Sequence, residues 1–536
     1  MKRRDFIASS AAAAGSLLLP LEVLAQADRR KELLIVANEF GPNSLDIHTV
    51  GANRPSYGVS WICYDRLMTF GKKKGPNGVM MYDFTKLEPE LAESWQVAKD
   101  GMSVVFKLRK NAKFHDGTPV TAKDVKWSFD RAVSVGGFPT FQMKAGSLED
   151  PKQFSVVDDY TFKVEFLRKD KLSMMDMAVP VPSIFNSELV KKNATPEDPW
   201  GLNWTKSNVA GGGAYKLESW KPGQEIIYAR NDDWKSGKLP KIRRIIQRDI
   251  PSAGNRRALM EKGDIDITYE MPPKDFSEWV QEKGNIRVFS TPIENAMFYL
   301  GMNVTKPPFN NPKVRQAVAW ALPYDKIMDN AMYKRATALY GDKDNKAGGL
   351  SWPQATGYKQ DLNKAKALMK EAGAEAGFET TLSFDLGGAT VSEPACVLIV
   401  EALSQIGIKA KIEKIPGANW RAALLKKDMP MIFNRFGGWL NYPEYFFFWC
   451  YHGQNAVFNT MSYQDAEMDK LIDAARFDTD PKKYQANVHG FINKAFDEVP
   501  RIPVVQPNFD VAMQKNIRGY TYWFHLQPDY RDLEKQ

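Results

Sequence analysis

Cysteine is scarce: the 536 residues hold three, Cys63, Cys396 and Cys450, and no Cys-x-x-Cys pair. That excludes a disulfide-dense scaffold and the usual zinc, haem and redox spacings. In an oxidising compartment Cys396 and Cys450 can pair, with Cys63 left over. Histidine is also rare; His48, His115, His452, His489 and His525 begin no His-Glu-x-x-His zinc motif. Neither Gly71-Lys72 nor Gly237-Lys238 is followed by the Ser or Thr of a phosphate loop. The run Gly211-Gly212-Gly213 lacks dinucleotide spacing and reads as a tight turn. His115-Asp116 sits in a strand-to-helix turn with no nucleophile beside it, so no catalytic residue is assigned. Excess charge is small as well, +9 overall with no basic tail, which argues against nucleic acid. No metal or cofactor is expected.

What is present is an ordinary folding composition, 43% hydrophobic and 26% charged, long enough for three or four domains. Residues 1–27 read as an export leader: Lys2, Arg3 and Arg4, a short apolar stretch, then the small-x-small site Ala25-Gln26-Ala27. Arg3-Arg4-Asp5-Phe6-Ile7 resembles the twin-arginine export motif. No cysteine marks a lipid anchor, and no later apolar run is expected to reach the roughly 18–20 residues that span a bilayer. The expectation is a protein outside the cytoplasm, in a periplasm, and not embedded in the membrane.

Periodicity gives alternating helices and strands. Residues 32–37 suit a buried strand, and Val104, Phe106 and Leu108 share one strand face. Residues 160–166 alternate as a half-buried strand. Thr121-Ala-Lys-Asp124 is a capping box that opens a helix with Val125, Phe129 and Ala132 inward. Asn311-Pro312 starts another helix. Lys364 to Ala372 forms one stopped by Gly373, and Val397 to Leu403 forms one followed by the turn and strand 406–412. The class is α/β with mixed sheets.

Longer segments carry a resemblance. Leu87-Glu-Pro-Glu-Leu-Ala-Glu-Ser-Trp95, Asp100-Gly101, Phe106–Asn111 and Lys113–Phe129 are followed by Gly211–Leu217, Trp220-Lys-Pro-Gly223 and Arg230-Asn231. Then come Asn303, Pro308-Phe309, Pro312–Val318, Glu371-Ala-Gly373, Met468–Ile472 and Pro500-Arg-Ile-Pro503. In that order they resemble the extracytoplasmic solute-binding proteins of peptide-type ABC importers, family 5, which includes the oligopeptide- and dipeptide-binding proteins.

The resemblance implies a type II periplasmic binding protein fold: two lobes, an extra domain in the first, and a hinged cleft. Lobe I is expected over 28–68, 210–297 and 503–536, the extra domain over 69–209, and lobe II over 298–502, with crossings near 297 and 502. It further implies that residues 434–444 line the cleft. There Trp439 walls the ligand, Gly438 and its neighbour Gly437 allow close backbone approach, and Tyr442 stands nearby. Relatives often carry an aspartate that holds the ligand's ammonium where this chain has Asn441. Either Glu444 substitutes for it or the ligand lacks a free amino terminus. Arg435 suits a carboxylate, Trp420 resembles another cleft aromatic, and Ala52 and Asn53 offer backbone groups. The expected role is capture of a solute, a peptide first, and delivery to ABC permease subunits by a monomer. Opines, saccharides and nickel complexes are alternative ligands. A secreted hydrolase and a peptide-binding sensor or chaperone are alternative functions.

Overall fold

A computed structural model describes residues 30–282, 284–454 and 458–536. The expected leader lies outside the described residues. Two lobes share one long strand, Arg501–Gln514. In the first lobe the sheet runs Tyr215–Lys221, Glu225–Arg230, Arg244–Asp249, Leu33–Asn38 and Ile267–Tyr269 up to that strand. Leu33–Asn38 is parallel to both of its neighbours. In the second lobe the sheet continues through Ala296–Met302, Met431–Gly437, Phe378–Asp385 and Ile408–Ile415. Phe378–Asp385 is parallel to Ile408–Ile415 and Met431–Gly437. Parallel neighbours need helical crossovers, which accounts for the alternation read in the sequence.

Pairing along the shared strand locates the chain crossings. Val505 pairs with Phe298 and Pro503 with Tyr299, in the second lobe. Val511, Ala512 and Met513 pair with Ile267–Tyr269, in the first. The second crossing therefore falls near Gln506–Asn508, slightly beyond 502. Gln506 ties the two crossings together, its Nε2 donating to the Ile293 and Glu294 carbonyls at 3.0 and 3.1 Å.

Within the expected extra domain, Ala92–Val97, Ser103–Leu108, Thr161–Glu165 and Phe154–Asp158 form a four-stranded antiparallel sheet. The capping box at Thr121 opens the helix Ala122–Ser134, which buries Val125, Phe129 and Ala132 as its stripe requires. The hairpin of Met68–Lys74 and Met80–Pro89 instead pairs with Thr521–Tyr522 from the C-terminal segment.

A polar cluster fastens this domain to the first lobe. From the helix, Arg131 donates to Asp46 Oδ2 at 2.6 Å, to His48 Nδ1 at 3.1 Å and to Thr205 Oγ1 at 3.0 Å. The Asp46 and Arg131 side chains are fully buried. His48 Nε2–H donates to the Val181 carbonyl at 2.8 Å, which fixes its neutral tautomer.

Several sequence expectations are corrected. All three cysteines are free and buried. Cys396 lies in the core of the second lobe and Cys450 in a different cluster, so they cannot bridge. The helix expected from Val397 starts at Ala389 and tolerates Pro394 in its interior. Its stretch Leu386–Ser404, mean hydropathy 1.4, does have the length and composition of a membrane span. It packs Ala395, Cys396, Ile399 and Leu403 into the core of the second lobe. Gly211 and Gly213 press on backbone: an added Cβ would lie 1.9 Å from the Cys63 carbonyl oxygen and 2.6 Å from its carbon.

Candidate functional site

In open α/β sheets the carboxyl ends of parallel strands form the binding crevice. Here both lobes aim such ends at each other. The first lobe presents Glu39, Asp249 and Glu270; the second presents Asp385, Ile415 and Arg435. The two sets sense one another: Asp385 helps raise the Glu39 carboxyl above its ordinary value, after burial as the main cause. Helices start at these same ends, at Ala253, Pro273, Ala389, Gly417 and Pro443, and Asn53 caps the helix Arg54–Cys63. Helix N-termini carry positive partial charge, so the crevice favours anionic groups.

Three guanidiniums add to that field. Arg435 has no hydrogen bond or ion pair to its side chain among the described residues; its cation lies 6.0 Å from the Phe298 ring centre. Among the described residues the Arg54 guanidinium donates only to the His525 carbonyl, at 3.4 Å. Arg421 lies over the Phe458 ring at 5.1 Å and forms no ion pair among the described residues. Arg435 keeps accessible surface, yet enclosure by protein and the neighbouring Arg54 push its pKa down to about 10, against Glu270, Tyr522 and Asp385. Its cation therefore keeps contact with solvent while sensing charged groups of both lobes, Arg54 and Glu270 of the first and Asp385 of the second.

Trp439 is 4% exposed. It packs edge-on against Tyr57 of the first lobe and Phe138 of the extra domain, each at 5.2 Å. It thus joins three parts of the molecule. Such aromatic pairs contribute about 0.5–1.5 kcal/mol each beyond area burial. Trp439→Ala is therefore expected to widen the unliganded protein, raising its radius of gyration in small-angle scattering while the far-ultraviolet dichroism stays unchanged. An identical scattering curve counts against this role. Tyr442 makes a similar bridge, edge-on to Phe84 at 5.7 Å.

Other sequence candidates are engaged within the protein. Asn441 Nδ2 donates to Glu294 Oε2 at 3.0 Å, tying it to the crossing segment. Glu444 is fully buried, 3.5 Å from Lys171 Nζ, and accepts from the Tyr484 hydroxyl at 3.1 Å. It fastens the second lobe to the extra domain and does not take the place of the missing aspartate in the crevice. Gly438 makes room for protein: an added Cβ would lie 2.3 Å from the Tyr445 ring, and one on Gly437 2.6 Å from Ala296 Cβ. The Ala52 N–H donates to the Thr49 carbonyl, and the Asn53 N–H to Asn43 Oδ1. Those amides are not offered to a ligand. The Asn53 side chain caps its helix and holds the Gly41 carbonyl. Trp420 is buried on the helix Gly417–Lys426.

Arg54, Glu270, Glu39, Asp385 and Arg421 were missed by motif reading. One signal was available: Glu39 and Glu270 directly follow short strands whose carboxyl ends face a crevice in parallel sheets.

The family described as bacterial extracellular solute-binding proteins, family 5 (middle) matches residues 86–458. The chain is 26% identical to the probable D,D-dipeptide-binding periplasmic protein DdpA of Escherichia coli K12, over 92% of each chain. The structure of DppA from Helicobacter pylori, in complex with the peptide STSA, superposes with a TM-score of 0.80 at 22% identity, covering 96% of this chain and 99% of that one. AgaA of A. tumefaciens R10, in complex with agropinic acid, gives 0.78 at 24% identity, covering 94% and 99%.

Proposed function

Because the chain belongs to family 5 of the bacterial extracellular solute-binding proteins, we propose that it captures a peptide between its lobes outside the cytoplasmic membrane and hands it unchanged to an ABC permease. The family and fold are those of solute-binding transport proteins, not enzymes. The protein acts as a monomer, exported by its leader. The crossings at Pro292–Ala296 and Gln506–Asn508 are the hinge.

One observation carries the choice of ligand: the guanidiniums of Arg435 and Arg54, on opposite lobes and in no ion pair among the described residues, lie near enough for the Arg54 charge to depress the Arg435 pKa. Two cations brought together repel, and a carboxylate between them turns that repulsion into a bridge. A ligand that touches both lobes favours the closed state through differential affinity. Arginine's fork matches a terminal carboxylate. Micromolar affinity, roughly −8 kcal/mol, suffices for capture and still allows release.

Native mass spectrometry of the protein purified without denaturation tests the reading. The expected result is a retained carboxylate-bearing peptide that dissociates unaltered. Retention of a saccharide or a nickel complex instead would overturn the peptide assignment, and chemical conversion of the ligand would overturn the transport role.

A further inference from the structure

Glu270 follows the strand Ile267–Tyr269 and adopts a left-handed backbone, φ 59°. For a residue with a Cβ such a conformation is strained and concentrates at ligand sites. Arg256, itself 1% exposed, holds the segment in place. Its Nη2 donates to the Glu270 carbonyl at 3.0 Å, and its Nη1 to the carbonyls of Pro251, at 3.0 Å, and Ile250. Those donors go to backbone. The Glu270 carboxylate receives none: its Oε2 is buried without a hydrogen-bond partner, and no ion pair reaches it among the described residues.

A carboxylate oxygen shut from water and lacking a donor is unfavourable. Burial, and then Glu39, push the Glu270 carboxyl up to about 7, against Arg435, Arg54 and Arg256. Protein cations therefore surround this group without closing on it. The arrangement has two unmatched halves, cations on both lobes and, in Glu270, a carboxylate near them with a buried oxygen that nothing pairs among the described residues. A molecule with a carboxylate at one end and a cation at the other satisfies both.

We propose that Glu270 receives the ligand's ammonium group, while Arg435 and Arg54 take its carboxylate end. This deepens the peptide reading above and rests on it. It moves the ammonium seat from position 441, whose amide is committed to Glu294, to the end of a first-lobe strand. The ligand class is then a free-amine zwitterion.

Calorimetry with two probes tests it: a pool of alanine di- to pentapeptides with free amino termini, and the same pool N-acetylated. The wild type is expected to bind the free-amine pool about tenfold or more tightly than the acetylated one, as a charge-assisted hydrogen bond requires. Glu270→Gln should bind both pools alike with an unchanged or raised melting temperature, because an enclosed unpaired charge is removed. Glu270→Asp, which keeps the carboxylate, should retain part of the preference should the amide variant fold poorly. Asn441→Asp should gain no preference. An undiminished preference in Glu270→Gln, equal binding of both pools by the wild type, or a gain in Asn441→Asp overturns the assignment while leaving peptide capture standing. Binding of neither pool by the wild type overturns the peptide reading, and this assignment with it.

Discussion

Asp46→Asn is expected to destabilise the protein by about 3–5 kcal/mol, the range for breaking one side of a buried ion pair. The carboxylate and Arg131 are both fully buried, 2.6 Å apart. Removing one charge leaves the guanidinium enclosed among neutral acceptors, the new amide oxygen, His48, Thr205 and the Trp200 carbonyl. The loss should appear as a lower denaturant midpoint, with earlier exposure of the extra domain to protease. Asp46→Asn combined with Arg131→Met should recover part of it, since no lone charge remains. A midpoint unchanged in the single variant would show that the cluster contributes nothing.

The same cluster sets an acid response. Burial alone would raise the Asp46 carboxyl, but the Arg131 charge and hydrogen bonds from Arg131 and Thr205 outweigh it and hold the pKa at about 2. Its contribution is complete above the unfolded value near 3.8 and is lost as pH falls through about 2. Burial, and then Arg131, press the His48 pKa down to about 4. Between about 6.5 and 4 the unfolded chain takes up that proton and the folded one does not, so acid opposes the fold at this site across that window. Titration of the imidazole resonances should show His48 neutral until about pH 4.

Arg435→Met is expected to lower affinity for the retained ligand by roughly ten- to a hundredfold, the equivalent of about 1.5–3 kcal/mol for a hydrogen bond to a charged group. Stability should not fall. The guanidinium forms no ion pair among the described residues, and its cation lies 6.0 Å from the centre of the Phe298 ring. Removal also relieves repulsion with Arg54, which contributes to the depressed Arg435 pKa. Calorimetry on the ligand released from the wild type reads the effect. Equal affinity would remove Arg435 from the binding site, and a large melting loss would mark it as structural.

Local chemistry was legible wherever neighbours in sequence decide the outcome. The Thr121–Asp124 box, the Asn311-Pro312 helix start and the alternation in Thr161–Glu165 needed only short-range hydrogen bonds and side-chain period, and all three formed. The spacing of family segments likewise carried the two-lobed α/β architecture. Site residues were a different matter. The glycines at 437 and 438 and the amides at 52 and 53 suited a ligand on local grounds. Ala296, Tyr445, Thr49 and Asn43 occupy those places instead.

The sequence by itself determined the family, through the order of its matching segments, and those helices and strands whose periodicity, capping and turn chemistry act over a few residues. Tertiary structure alone decided which charges stay unpaired in the crevice. Asp46 finds Arg131 across 85 positions, whereas Glu270 and Arg435, from opposite lobes, find no protein partner among the described residues. Coulombic and hydrogen-bond satisfaction depends on distance in space, so the same residue types become structural pins in one place and open binding groups in another.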